Sequence, residues 1–184
     1  RFLIISLLVL FAIIPAVIME AVVLTSYEKR AVEVRTAEIQ NQCTILCNQL
    51  SQGGYPKVVT TDAMNAEITQ LSNIYNGRVL LIDQAYHILK DTYDMDEGKR
   101  IVSGDVTGCM SGKGTTFYDS KNRYIEVTSP IMDAAKEKVI GVMLVSVSTD
   151  SIAESKGVLG GKANVVAVVA VIIALVLAIG LGFL

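Results

Sequence analysis

Two uncharged apolar runs bracket this chain and confine almost every charge to the stretch between them. Residues 2–19 form an 18-residue run without a charge, and apolar character resumes at 21–24. Residues 163–184 form a 22-residue run in which Asn164 alone is polar. A helix rises about 1.5 Å per residue, so about 20 residues cross a hydrocarbon core of roughly 30 Å. Both runs meet that length, and transmembrane helices are expected at 1–24 and 163–184. A cleaved signal peptide competes for the first run, but its apolar part exceeds the usual core of about 7–15 residues. The chain starts at Arg1 and stops inside the second run, as a piece of a longer protein would.

Two spans place both chain ends on one side of the membrane. The 138 residues of 25–162 carry 15 basic and 17 acidic side chains and are expected to be extracytoplasmic. The net charge of −2 leaves no basic excess, which excludes nucleic acid as a partner. Three cysteines without zinc spacing exclude a disulfide scaffold and a zinc finger. A single histidine excludes most histidine-built metal sites.

The spans carry their own signals. Ala170, Ala174, Ala178 and Gly182 recur every fourth position, as do Ala12 and Ala16. Small residues at that spacing let helices approach closely in lipid, so these six form the expected helix-packing faces. Glu20 sits within a turn of the outer interface, where its carboxylate reaches water. Pro15 is a candidate kink.

No glycine or proline occurs from 27 to 50, and Val32, Thr36, Ile39, Cys43, Leu46 and Leu50 follow a 4-3-4-3-4 spacing. That seam predicts a membrane-proximal helical stalk over 25–52, packed on the following domain, on a second copy, or on both. Ser51-Gln52-Gly53-Gly54 and Pro56 end it. A second helix is expected over 62–75, closed by Asn76-Gly77. The period then shortens to 2, which predicts strands at 79–82, 87–91, 115–118, 124–131 and 139–147, with a loop over 92–114 that has room for one short helix. Ser151 with Glu154 reads as a capping box for an exit helix over 151–162, softened by Gly157, Gly160 and Gly161. The fold class is α+β: a five-stranded antiparallel sheet at 53–150 with one face under helices.

Three segments carry a resemblance. They are Asn76-Gly77-Arg78-Val79-Leu80-Leu81-Ile82-Asp83, Tyr124-Ile125-Glu126-Val127-Thr128-Ser129-Pro130-Ile131, and Val139-Ile140-Gly141-Val142-Met143-Leu144-Val145-Ser146-Val147-Ser148 with Thr149-Asp150-Ser151-Ile152. In that order, between two spans, they resemble the PAS-like (Cache or PDC) extracytoplasmic sensor domain of bacterial histidine kinases. The chain is similar to the cell-wall-metabolism and phosphate-response kinases of Gram-positive bacteria. The resemblance implies a homodimer and an extracellular small-molecule, ion or protein signal. It also implies a missing HAMP linker, ATP-dependent kinase region and cytoplasmic response regulator. It implies no cofactor in these residues, and it puts ligands, where any bind, in the variable loop of 93–114. A chemotaxis transducer shares this outer layout, and an adhesion or scaffold module without output is a third reading.

Few residues suggest chemistry. Asp91, Asp94, Asp96 and Glu97 are weak metal candidates because hard cations prefer oxygen donors, but their spacing is not that of a calcium loop. His87 reads as a strand-edge residue. Cys43 lies on the stalk seam, where a cross-chain disulfide is conceivable, and Cys109 lies in the variable loop. Gly112-Lys113-Gly114-Thr115-Thr116 lacks phosphate-loop spacing. No serine has a histidine partner in a hydrolase order, so no catalytic residue is expected.

Overall fold

Residues 2–52 contain no glycine and a single proline, so nothing in them stops a helix until Gly53 and Gly54. In the computed structural model they form one helix, α1 (Phe2–Gln52), which runs through Pro15. Gly53 N–H closes onto Gln49 O at 2.8 Å, and Gly54 turns the chain away in the left-handed region, at φ 81°. The structure describes the backbone of residues 2–183 and the side chains of 10, 11, 13–177, 179 and 180.

A one-turn helix (Lys57–Thr60) leads to α2 (Asp62–Tyr75), β1 (Gly77–Asp83), β2 (Ile88–Asp91) and α3 (Gly104–Met110). Then follow β3 (Thr116–Asp119), β4 (Tyr124–Met132), β5 (Val139–Ser148) and α4 (Asp150–Phe183). Contacts divide the chain into one unit of Val32–Asp150 and another of Arg1–Ala31 with Ser151–Leu184.

The Val32–Asp150 unit is built on a sheet of order β2-β1-β5-β4-β3 in which every neighbouring pair is antiparallel. Each hairpin turn is held by one aspartate, because a short carboxylate reaches backbone donors two to five residues on. Asp83 accepts from Ala85 and His87 N–H, Asp119 from Lys121 and Asn122, and Asp133 from Glu137 and Lys138. The stalk seam packs on this unit: Val32, Ile39, Cys43, Leu46 and Leu50 are all buried within it. Cys47 donates to Ser129 O, and Tyr55 donates from its hydroxyl to Ile82 O at 2.8 Å. Gly141 makes room for that tyrosine, since a β-carbon there would overlap the Tyr55 ring. Cys43 is fully buried, and burial pushes its thiol up to about 12.

In the other unit, Lys156 Nζ donates to Glu28 at 2.6 Å. The α4 segment Asp150–Leu177 is long and apolar enough to cross a membrane. Helix α4 begins at Asp150, one residue before the expected start, and runs unbroken through Gly157, Gly160 and Gly161. Ala16 and Ala170 line a cleft in this unit, and Ala174 is half-buried. The side chains of Ala12, Ala178 and Gly182 lie outside the described residues.

Candidate functional site

Pleat alternation gives the sheet two chemically different faces. On one, Val79, Leu81, Val127, Met143 and Val145 are buried. The other is set by the register Leu80↔Leu144↔Thr128 and Ile82↔Val142↔Pro130. The next row along is Arg78↔Ser146↔Glu126. Half of this second face is apolar and half polar.

The apolar half is covered by α3. Ser103 caps that helix, its hydroxyl oxygen accepting from Val106 N–H at 3.2 Å. Val106 and Cys109, three residues apart and so on one side of the helix, pack fully buried on Leu80, Ile82, Ile88, Val142 and Leu144. Tyr86, Ile101 and Met110 surround them. Burial holds the Cys109 thiol up, at about 11, so it stays protonated and unreactive at neutral pH. The centre of the variable loop is therefore a short helix that fills its side of the sheet.

The polar half holds two carboxylates in contrasting states. The Asp91 side chain is fully buried, and Arg78 grips it with a two-pronged contact, Nε to Oδ1 at 2.9 Å and a terminal nitrogen to Oδ2 at 2.5 Å. The N–H groups of Tyr93, Met95 and Asp96 also donate to Asp91. These bonds, Arg78 first, hold its carboxyl well below the usual range despite burial. The same guanidinium reaches Asp96 at 2.6 Å. Lys90 pairs with Glu97 at 2.7 Å, more loosely with Asp94 at 3.4 Å, and Lys99 pairs with Asp96 at 2.7 Å. The four acids singled out as weak metal candidates thus gather around cations that the chain itself supplies. Among the described residues no group of three or more histidine, cysteine or acidic side chains is arranged to hold a metal ion.

Glu126 is the opposite case. It lies half-buried on β4, and burial, with Asp105 adding repulsion, pushes its carboxyl up. Among the described hydrogen bonds none reaches this carboxylate. Asp105 is engaged by the Thr115 hydroxyl at 3.2 Å, and Tyr124 beside it is pushed up by burial and by Asp119, Glu126 and Asp105. His87 stands at the far edge of the sheet, 3.6 Å from Asp83.

The second device is the exit of β5. Thr149, almost fully buried, donates its N–H to Arg123 O at 2.8 Å, tying the strand's end to the β3–β4 turn. Ser148 Oγ accepts from Asp150 N–H and donates to the Asp150 carboxylate, so Ser148, rather than the expected Ser151, serves the first turn of α4. The sequence carried a signal for Ser148 only as the serine two residues before an acid, a pattern too common to single out.

No protein-family model matches the chain, and no curated protein matches it. Solved structures do. An extracellular ligand binding receptor from Desulfohalobium retbaense matches with a TM-score of 0.55 and 16% identity, over 71% of this chain and 25% of its own. The sensor domain of the Vibrio cholerae histidine kinase DctB matches with a TM-score of 0.55 and 15% identity, over 73% of this chain and 55% of its own. The chain therefore spans a quarter of the first and just over half of the second. At these identities the likeness shows the fold, the PAS-like Cache arrangement of long helix, five-stranded antiparallel sheet and C-terminal helix.

Proposed function

We propose that this chain is the input half of a bacterial transmembrane sensor, most specifically of a two-component histidine kinase of the Gram-positive type. In this reading 1–24 and 163–184 cross the cell membrane, 25–162 lies outside, and the polypeptide continues inside into a kinase region that addresses a response regulator. The working form is a homodimer. The module contributes no catalysis of its own; it takes up an extracellular signal and moves a helix.

The observation that carries this reading is the path from β5 to α4. Val142 and Leu144 of β5 lie under α3, and the same strand runs to the Thr149–Arg123 clamp and into α4 without a loop. A signal that shifts α3, or that engages Glu126 in the same sheet face, biases the position of β5 and hence of the helix that follows it. Only a differential interaction with two arrangements does this, so the signal must bind one of them better. A chemotaxis transducer would use the same outer path, and the region downstream separates the two: a phosphoacceptor-histidine helix pair or a long methyl-accepting hairpin.

The test is a cross-link. A β-carbon at Gly160 would lie 3.4 Å from Leu24 Cδ1, so Leu24→Cys with Gly160→Cys is the pair to oxidise across this helix contact. In the full-length protein in vesicles, oxidation of this pair should fix phosphotransfer at one level, insensitive to signal. Output that is unchanged by oxidation, with the disulfide shown to have formed, sinks the helix-movement reading.

A further inference from the structure

Within the unit of 1–31 and 151–184, α1 and α4 touch at two levels, Glu28–Lys156 and Leu24–Gly160. Beyond them the helices enclose a cleft of about 400 Å³. That is the size of a small-molecule site, here walled by aliphatic side chains such as Ala16, Val23, Ala163 and Ala170. Two charged side chains also line it, Glu20 and Lys162. Lys162 lies two residues beyond Gly160 and Glu20 one turn beyond Leu24, so both flank the part of the cleft nearest the helix contact. Everything further along is apolar. Among the described residues Glu20 and Lys162 make no ion pair with each other, and at the lipid boundary both stand at the level of the phospholipid head groups.

We propose that this cleft holds a phospholipid with a primary-amine head, of the phosphatidylethanolamine type. Its ammonium donates to Glu20, its phosphate accepts from Lys162, and an acyl chain fills the aliphatic length. This rests on the membrane-spanning reading above. The charges select the occupant. A choline head has no N–H to give Glu20, an anionic head leaves Glu20 facing like charge, and a third apolar helix would bury both charges unpaired.

The intact chain is reconstituted into vesicles of equal parts phosphatidylcholine, phosphatidylethanolamine and phosphatidylglycerol. It is floated on a density gradient, gently extracted, and its retained lipid is weighed by native mass spectrometry. The amine-headed lipid should be retained about tenfold over the choline-headed one, the factor one charge-assisted hydrogen bond supplies. Glu20→Gln should abolish that preference, Lys162→Gln should lower retention of all three, and Ala167→Leu should close the cleft to each. Equal retention of amine and choline heads overturns the proposal. So does a preference that survives Glu20→Gln, or a lipid-free dimer filling the cleft with a second copy. A chain that fails to float overturns the membrane reading itself, and flotation is scored separately from lipid retention.

Discussion

Asp91 and Glu126 sit on the same face of one sheet, yet their surroundings push them in opposite directions. Asp91 lies opposite Leu80, one step from Arg78, and its two oxygens collect a guanidinium and three backbone N–H groups. Glu126 shares a cross-sheet row with Arg78 and Ser146 but is two strands away from the guanidinium. The lesson is that burial alone does not set a carboxylate's state; the supply of donors does. The first acid is structural and closed to ligands, whereas among the described hydrogen bonds none reaches the second.

The sharpest way to break the contrast is Asp91→Ala. It strands a partly covered guanidinium and three N–H groups, and should cost about 3 kcal/mol in urea unfolding, the low end for a broken buried pair because Asp96 still holds Arg78. Arg78→Lys keeps the charge but loses the two-pronged geometry, and should cost about 1.5 kcal/mol in the same assay. Glu126→Gln should go the other way and stabilise the protein at neutral pH by less than about 1 kcal/mol. Asp94→Asn should be silent within about 0.5 kcal/mol, since Asp94 is 79% exposed and only loosely paired.

Acid separates the two groups further. Asp91 has a lowered folded pKa, so its contribution is complete above the unfolded value of about 3.9 and is lost as pH falls below that. Glu126 has a raised folded pKa, so its folded form takes up a proton before the unfolded form does. Its contribution to stability therefore grows as pH falls toward about 4.3 and is flat below. Thermal unfolding from pH 7 to pH 3 should show a shallow rise and then a drop. Glu126→Gln should remove the rise and leave the drop.

Much of the scaffold was legible in the chain. The 4-3-4-3-4 seam marked the side chains that α1 buries, and period-2 runs marked β4 and β5 to within a residue or so. The turns at Asp83, Asp119 and Asp133 fall in the gaps the period-2 runs leave, where aspartate bonds to backbone close by in sequence. Helix α3 was legible only as a short helix somewhere within 92–114, not in its position. Its segment Gly-Asp-Val-Thr-Gly-Cys-Met has two glycines and two β-branched residues, poor helix formers that only tertiary burial of Val106 and Cys109 overrides. The acidic run looked like a solvated loop or a weak cation site because its counter-charge, Arg78, comes from another strand through the β1–β2 register. The alanine spacing did not point to Gly160, Ala163 or Ala167, because the level at which α1 meets α4 depends on a pair 128 residues apart, Glu28 and Lys156.

A counter-ion tethered to the backbone does not wash out. Because Arg78 is part of β1, the turn after β2 is assembled whenever the strand is, with no dissolved ion needed to complete it. Chelators and dilution should leave it untouched, and alkali cannot discharge a guanidinium whose proton the neighbouring acids hold more firmly still. Of the changes in ionic composition a protein can meet, the swing in one direction only, toward strong acid, can loosen the turn.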